Sequence, residues 1–465
     1  MSPPLFLYYT RIKQFPSKLT LTEISGSFGD LGTLIPLTIA LSKVGAIELP
    51  AALFWAGVSN VITGILWDLP MPVQPMKAIA ATAIAGSLSP VEVSTSGVII
   101  GAIMVVLGMT RLIDIVNRLI PVHVVSGMQL GLGMKLAITG LSYIQVLPWA
   151  SSPDSILLAL AVGALTLVLL RFEVRSQAGD DYMPPFEFIR YLPPSALMLF
   201  LIAVIFVVIE LTSPSSDYPP LQFMGPPVAF WALSSASGEK WTSGLLNLAL
   251  PQLPLTTLNS VVSVCALAHT LYPERRKETG KEGEGKDSLT ARDEVVSRRD
   301  VALSVGLMNG VLCMFGAMPN CHGAGGLAGQ HKFGARNGAS VIFLGLLKVV
   351  LSVLGGGSAV TILDAFPDSI LGVLLIVSGS ELAVTGVKVA EKVNRGGRGL
   401  ENSMNTFMMV IVAVVLVGTG KTYFGVLAGM AVYLLYGEGL REYKEAWQSW
   451  RGVGMDAEVM AMAKV

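Results

Sequence analysis

Long apolar segments that almost lack charge are the feature that most limits how this chain can fold. Charged residues make up 14% of the 465 residues, and 16 of them lie between Pro273 and Asp300. The rest of the chain therefore contains an even lower fraction of charged residues. Fourteen segments have about the 20 apolar residues that a helix needs to cross a bilayer, or a shorter interrupted form of that pattern. They begin near Ile24, Ala51, Pro75, Ser94, Val122, Ile156, Ala196, Leu245, Val301, Gly323, Ser340, Ile370, Met404 and Tyr423. A chain with so few polar residues to cover its apolar core could not be a water-soluble protein. The sequence therefore predicts an all-α polytopic membrane protein.

The positions of the basic residues predict the orientation. If the N-terminus is cytoplasmic and fourteen spans follow, 26 of the 32 Lys and Arg residues lie on the cytoplasmic side. Cytoplasmic loops of membrane proteins carry this excess of positive charge. We therefore expect both termini to be cytoplasmic and the chain to be an integral membrane protein. The plasma membrane is the expected location, with the vacuole or another internal membrane as the alternative.

Several other functions are disfavoured by composition. The net charge is zero and no basic stripe is present, so a nucleic acid is not an expected partner. The three cysteines, Cys265, Cys313 and Cys321, lie in apolar surroundings and do not indicate a disulfide framework. The first 20 residues do not resemble a cleaved signal peptide. The chain contains no G-x-x-x-x-G-K-[ST] sequence, so nucleotide hydrolysis is not indicated.

The two halves of the chain resemble each other. The stretch MPVQPMKAIAA, from Met71, aligns with MPNCHGAGGLA, 247 positions later, and Asn60 matches Asn309. PVHVVSGMQLGLGMKLAITG, from Pro121, aligns without gaps on PDSILGVLLIVSGSELAVTG, from Pro367. Seven spans in each half place the second half upside down relative to the first. Inverted repeats with paired broken helices are an architecture of secondary transporters, and they hold the substrate near the midplane.

The two short, interrupted segments predict an anion site. Pro75 suits the first turn of a helix, which places Gln74 at or before the N-terminus and Lys77 in the first turn. A cation there, near the bilayer centre, is unfavourable unless an anion binds beside it. Glycines in the second segment allow an oxyanion to approach backbone N–H groups. The predicted substrate-binding residues on these two half-helices are Gln74, Pro75, Met76, Lys77, Asn320, Cys321, His322, Gly323, Gly325 and Gly326.

Other interpretations of these side chains stay open. Lys77 could extend to an interface or pair with Asp30, and His322 could bond a backbone carbonyl within the bundle. Cys321 could be a small packed residue. A metal site formed by Cys321, His322 and Asp30 lacks a recognisable ligand spacing, so we expect neither a metal nor a cofactor.

Spans 1 and 8 add polar candidates to the site. Asp30 and Thr33 lie among glycines in the otherwise apolar span 1, and an intramembrane carboxylate indicates function. A weaker alignment places Gln252 opposite Asp30, with Thr256 nearby. Burial beside a dianion favours the protonated form of a carboxylate, so Asp30 is the candidate for proton coupling. The alternative is that Asp30 stays ionised and pairs with Lys77.

Three motifs together resemble the molybdate transporter family, a branch of the sulfate permease superfamily. They are GSFGDLGTLIPL, MPVQPMKAIAA and MPNCHGAGGLAGQHKFGARNG, and the resemblance extends from about Thr20 to Tyr436. It implies a seven-plus-seven inverted repeat in which a core domain carries the anion site and moves against a gate domain. It also implies that the substrate-binding residues lie on spans 1 and 8 and on the two half-helix starts. Many sulfate permeases end in a cytoplasmic STAS domain. Residues 438–465 are too few to form one, so regulation of that kind is not expected.

The resemblance and the span count together imply the domain organisation. We expect a cytoplasmic N-terminus (1–20), a first core part (21–119), a first gate part (120–211), an extracellular linker (212–243), a second core part (244–358) with a charged cytoplasmic loop (273–300), a second gate part (359–437) and a short tail (438–465).

The expected function is secondary active import of molybdate, by an elevator-like or rocking movement, with protons as a candidate co-substrate. A sulfate transporter or an oxyanion channel of the same fold remains the alternative, because both anions are tetrahedral dianions. An intramembrane enzyme using Asp30, Cys321 and His322 is disfavoured by the repeat symmetry. The lipid bilayer is the expected surrounding, and the sequence leaves a homodimer open.

Overall fold

The computed structural model describes residues 3–110, 112–113, 121–151, 154–177, 195–213, 233–272, 275, 295–394 and 399–435. Most of the predicted charged loop, most of the predicted extracellular linker and the predicted tail lie outside these residues.

The described chain is mostly helical, with one pair of short strands. In chain order the elements are α1 (Pro3–Lys18), α2 (Leu21–Ser27), α3 (Leu31–Lys43), α4 (Leu49–Trp67), β1 (Val73–Pro75), α5 (Lys77–Gly86), α6 (Pro90–Thr110), α7 (Val122–Gln145), α8 (Ile156–Gln177), α9 (Ser195–Thr212), α10 (Gly238–Leu271), α11 (Arg298–Leu312), β2 (Asn320–His322), α12 (Ala324–Lys332), α13 (Ala339–Gly355), α14 (Ala359–Asp364), α15 (Asp368–Asn394), α16 (Gly399–Thr419) and α17 (Thr422–Leu435). A single 3₁₀ turn, Phe28–Asp30, joins α2 to α3.

Every predicted apolar segment begins in one of these helices or within two residues of one. Five helices among the described residues are long and apolar enough by themselves to cross a membrane: α4, α6, α7, α10 and the part of α15 from Asp368 to Glu391. The other apolar helices are shorter, including α5 and α12, which follow the two strands. The structure therefore agrees with a polytopic helical membrane protein.

Glycines allow two pairs of helices to cross in close contact near the strands. Helices α4 and α13 cross at Gly57 and Gly345, where a Cβ on either residue would lie 2.6 Å from the other's carbonyl oxygen. Helices α6 and α11 cross at Gly101, where a Cβ would lie 2.2 Å from the backbone nitrogen of Gly310. Small residues permit such close approach of helix backbones. Each crossing joins a helix of the first half to a helix of the second.

A second group of helices packs around α7. Helix α7 lies against α15 and α16, and Gly133 and Gly379 meet at the α7–α15 contact. A Cβ on Gly133 would lie 2.3 Å from the carbonyl oxygen of Gly379. This group contacts the first one through α5 against α7 and through α3 against α15.

The strands correct the expectation of a purely helical chain. Strand β1 pairs with β2 in antiparallel orientation, and both are fully buried. Proline explains the extended backbone of β1, because the residue before a proline is restricted to β or polyproline conformations. Gln74 precedes Pro75 in this way, so Pro75 lies in the strand and not in the first helical turn. Helix α5 begins two residues later, at Lys77, with Met76 as its N-cap residue.

Asp68 fixes the end of α4 just before β1. It has a positive φ of 53° and terminates the helix. Its carboxylate accepts a hydrogen bond from Lys18 at 2.8 Å and one from the backbone N–H of Gly338 at 3.1 Å. Arg275 donates to its carbonyl oxygen at 2.7 Å. These contacts tie α1 and the start of α13 to the turn that leads into β1.

Candidate functional site

The pairing of β1 with β2 places the two half-helices around one centre. Gln74 lies opposite Cys321, Val73 opposite His322, and Pro75 opposite Asn320. The central pair, Gln74 and Cys321, has the separation of 247 positions that relates the two repeat sequences. The strands are therefore related by a local twofold axis that passes between these two residues. Each strand leads directly into a short helix, β1 into α5 and β2 into α12.

Two equivalent asparagines bind the backbone of the strands. Asn60 on α4 accepts a hydrogen bond from the Val73 N–H at 2.6 Å. Asn309 on α11 accepts one from the Asn320 N–H at 2.7 Å and donates to the Asn320 carbonyl at 2.7 Å. Val73 and Asn320 are matching positions of the repeat, so the Asn60–Asn309 match in the sequence corresponds to a shared structural role.

Gln252 caps the N-terminus of α5. The first N–H groups of a helix have no partner within the helix and favour an acceptor with negative charge. The Gln252 Oε1 accepts from the Ala78 N–H at 3.1 Å and from the Ile79 N–H at 3.3 Å. Its Nε2 donates to the Thr256 Oγ1 at 2.9 Å, and this hydroxyl lies 4.0 Å from the Met76 sulfur. An uncharged amide oxygen thus occupies a position suited to an oxyanion.

The backbone of α10 explains how Gln252 and Thr256 reach α5. This helix contains π-helical turns at Gly244–Ala249 and Thr256–Val262, on either side of Pro251 and Pro254. Proline removes a backbone hydrogen bond and clashes with the preceding turn, and π-turns accommodate such interruptions. Gln252 and Thr256 are both buried, at 3% and 0% exposure.

The N-terminus of α12 is more open than that of α5. Gly323 is its N-cap residue and, as a glycine, has no side chain of its own that could cap the helix. A Cβ on Gly323 would lie 2.2 Å from the Gln74 Oε1, so the Gln74 side chain packs where only glycine fits. Gly325, in the first turn, is exposed, and a Cβ there would meet nothing within 4 Å. At the equivalent second position of α5, Ala78 is buried, so α12 begins at the more exposed of the two helix ends.

Two further predicted residues, Asn320 and His322, lie in β2. Asn320 donates to the Met318 carbonyl at 2.8 Å. The Nε2 atom of His322 lies 3.0 Å from the Ser304 hydroxyl oxygen. The His322 ring packs edge-on against Trp67. Both side chains are buried at 1% exposure or less. Their amide and ring contacts point to roles in holding β2 and the adjacent helices.

Other predicted residues have simpler positions. Cys321 is buried beside Gln74, Gly326 is buried in the first turn of α12, and Lys77 is half-buried at the first position of α5. Asp30 ends the 3₁₀ turn before α3 and Thr33 lies in α3, but their side chains are outside the described part of the structure. In the part that is described, no group of three His, Cys, Asp or Glu side chains could hold a metal ion.

Lys348 is a residue near the site that sequence reasoning did not select. It lies on α13 with only 3% exposure, and its Nζ donates to the Val73 carbonyl at 3.2 Å. The available signal was a lysine within an apolar segment, because an ionisable residue inside a membrane indicates function.

Comparison with known families agrees with the three sequence motifs. A family model described as a molybdate transporter of the MFS superfamily matches residues 22–136 and 244–382, one stretch in each half. Molybdate transporter 2 of Arabidopsis thaliana is 36% identical over 441 residues, which cover 89% of this chain and 87% of that protein.

Solved structures of anion transporters share the fold. The transmembrane domain of a cyanobacterial bicarbonate transporter, BicA, superimposes with a TM-score of 0.57 at 14% identity, covering 89% of this chain and 98% of that one. The inward-facing murine anion transporter Slc26a9 gives a TM-score of 0.58 at 13% identity, covering 91% of this chain and 70% of that one. At these identities the likeness concerns the fold alone.

Proposed function

The chain belongs to the molybdate transporter family, and from this membership we propose that it is a secondary active transporter that imports molybdate. The observation that carries the proposal is the antiparallel pair of strands β1 and β2. Each strand leads into a short helix, and the two helices begin around one buried centre. Helix N-termini favour anions, and a pair of them near the midplane suits a tetrahedral dianion. Sulfate has the same shape and charge and is the rival substrate.

The architecture of this transporter is a seven-plus-seven inverted repeat of fourteen spans. The local twofold axis between the strands and the matching roles of Asn60 and Asn309 support it. The helix crossings support it as well, because α4 packs on α13 just as its repeat partner α11 packs on α6. An odd number of spans in each half accounts for the antiparallel relation of the strands.

The core and gate move against each other to carry the anion. The core consists of residues 21–119 and 244–358 and includes both half-helices and the two glycine crossings. The gate consists of residues 120–211 and 359–437 and includes the α7–α15 contact. An elevator-like or rocking movement is supported by the separate packing of these two groups of helices. Both termini lie in the cytoplasm, and the plasma membrane is the proposed location.

Within the core, molybdate binds beside the open N-terminus of α12. Its oxygens accept hydrogen bonds from backbone N–H groups of the first turn and from the Gln74 amide. Lys77, half-buried at the start of α5, adds a positive charge on the opposite half-helix. The polar side chains of span 8, Gln252 and Thr256, complete the site from the side of α5.

Uptake into reconstituted vesicles tests the function. Purified protein in liposomes is expected to accumulate labelled molybdate above the outside concentration when an ion gradient is imposed. Uptake that only equilibrates would identify a channel. Excess sulfate that abolishes molybdate uptake, together with faster uptake of labelled sulfate, would make sulfate the substrate instead.

Proton coupling through Asp30 is the proposed source of energy. A carboxylate beside a dianion takes up a proton more readily, because desolvation and like-charge repulsion both favour the neutral form. Uptake is expected to rise as the external pH falls, and Asp30→Asn is expected to lose this acid stimulation while still binding molybdate. A pH profile of unchanged shape in the variant would remove Asp30 as the proton carrier.

A further inference from the structure

We propose that Lys348 is a specificity-determining residue that gives this site its preference for dianions over monoanions. The inference rests on the proposed transport of a tetrahedral dianion. Its basis is the contact between the Lys348 ammonium and the Val73 carbonyl, in the peptide group that joins Val73 to Gln74.

The helix crossing explains why Lys348 reaches the strand. Gly57 and Gly345 form the point of closest approach between α4 and α13. Asn60 and Lys348 each follow their glycine by three residues, which is about one turn of helix. The crossing therefore directs both side chains to the same residue, Val73: Asn60 accepts from its N–H, and Lys348 donates to its carbonyl oxygen.

The second half of the chain binds its strand without a charge. At the matching residue, Asn320, the single side chain of Asn309 bonds both the N–H and the carbonyl oxygen. The amide nitrogen of Asn60 has no hydrogen-bond partner within the described part of the chain. Helix α6, which takes the place of α13 at the other crossing, contains no Lys or Arg. An ammonium thus replaces an amide donor on one side of the local twofold axis.

The position of this ammonium suits recognition of a dianion. A carbonyl oxygen lies roughly 2.8 Å from the next Cα in a trans peptide, so the Lys348 Nζ is within about 6 Å of the Gln74 Cα. Asn309 shows that an uncharged amide can bond the strand backbone fully, so hydrogen bonding alone does not require a lysine. Burying an ammonium is costly, and an anion bound nearby would offset that cost. Because Coulomb energy scales with the product of the charges, a dianion gains about twice as much from it as a monoanion.

Anions of equal shape and unequal charge test this inference. Molybdate carries two negative charges and perrhenate one, and both are tetrahedral. In proteoliposomes, Lys348→Gln is expected to raise the KM for molybdate by about tenfold or more and the KM for perrhenate by a clearly smaller factor. Lys348→Arg is expected to keep the parent ratio of the two KM values. Lys348→Met serves as a second neutral variant, because it buries no polar group if the glutamine impairs folding.

A matched control comes from the same helix. Ser352 lies one turn beyond Lys348, is buried, and donates to the Pro50 carbonyl at 2.6 Å. Ser352→Ala is expected to leave both KM values at the parent level, which shows that a general disturbance of the α4–α13 contact is not the cause.

Three results would overturn the inference. The first is unchanged KM values in both neutral variants. The second is an equal increase of the two KM values, for molybdate and for perrhenate, which would show that Lys348 only positions β1. The third is a parent protein that transports no tetrahedral dianion. If the parent transports sulfate but not molybdate, the proposal of molybdate as the substrate is wrong. Sulfate then replaces molybdate in the comparison with perrhenate, and the same KM ratios still test the role of Lys348.

Discussion

At the scale of single residues, the Gln252 amide oxygen occupies the place where α5 would otherwise bind an anion. It accepts two backbone hydrogen bonds at the helix N-terminus, as a substrate oxygen would. The other half-helix, α12, has a glycine as its N-cap residue and exposes Gly325 in its first turn. The two ends are therefore equivalent in the repeat but differ in availability. Gln252 satisfies the N–H groups of Ala78 and Ile79 in α5, which favours the proposed binding of the substrate at α12.

Replacing Gln252 by glutamate tests this difference between the ends. A carboxylate at a helix N-terminus is favoured by roughly 0.3 to 2 kcal/mol, so Gln252→Glu is expected to remain folded and to cap α5 more firmly. The two backbone N–H groups of α5 favour the ionised form of the glutamate, and its negative charge opposes a dianion in the same centre. The KM for molybdate is expected to rise about tenfold, which corresponds to about 1.4 kcal/mol. Uptake kinetics and thermal stability in detergent measure the two effects.

Asn247→Asp provides the control for added negative charge. Asn247 is half-buried on the same helix, and its amide donates to the Ser243 hydroxyl instead of facing the start of α5. This variant is expected to keep the parent KM. A Gln252→Glu protein with unchanged or lower KM would show that the α5 terminus is not part of the anion site.

At the scale of elements, the sequence repeat predicted where both half-helices begin, but it could not predict the strands before them. Apolar segments and matched motifs identify helices because their patterns extend over many residues. A strand of three residues has no such pattern, and its partner lies 247 positions away. The sequence therefore predicts Pro75 in a helical turn, although it lies in β1. The sequence pattern also does not reveal the cap formed by Gln252, because the cap depends on π-turns in α10 and on a contact with Ala78, 174 positions away.

The α6–α11 crossing offers a matched pair of glycine substitutions. A Cβ on Gly101 would lie 2.2 Å from the Gly310 nitrogen and 2.6 Å from its Cα, and backbone atoms cannot give way without moving a helix. A Cβ on Gly310 would have no neighbour closer than 3.8 Å. Gly101→Ala is expected to lower stability by about 1 to 3 kcal/mol through overpacking.

Gly310→Ala is expected to be neutral or to stabilise the helix by up to about 1 kcal/mol, because alanine is the better helix former. The apparent melting temperature of each protein in detergent, followed by size-exclusion chromatography, gives the comparison. Equal melting temperatures for the two variants would mean that the helices do not approach as closely as Gly101 indicates.

At the scale of the whole molecule, the ion pairs among the described residues separate into two that involve Asp68 and one that joins the proposed core to the proposed gate. Asp68 pairs with Lys18, in the proposed N-terminal segment, and with Arg275, in the second core part, so neither contact involves the gate. Lys43, at the end of α3, instead pairs with Asp368 at the start of α15 and donates to the Phe366 carbonyl at 2.9 Å. If the core moves against the gate, contacts of the first kind persist and the Lys43–Asp368 contact breaks in part of the cycle.

Charge exchange between Lys43 and Asp368 tests this movement. A partly exposed ion pair contributes about 0.2 to 1 kcal/mol, so it shifts the balance between conformations by at most about fivefold. Lys43→Asp places two like charges together, and we expect the maximal uptake rate to change severalfold while the KM stays near the parent value, because neither residue is at the anion site. The double variant Lys43→Asp with Asp368→Lys is expected to restore the parent rate. Lys18→Gln, which removes a pair that does not involve the gate, is expected to lower thermal stability and leave the rate unchanged. If the double variant is as impaired as the single one, this contact is not an ion pair that opens during transport, and a boundary between core and gate at α3 and α15 would have to be abandoned.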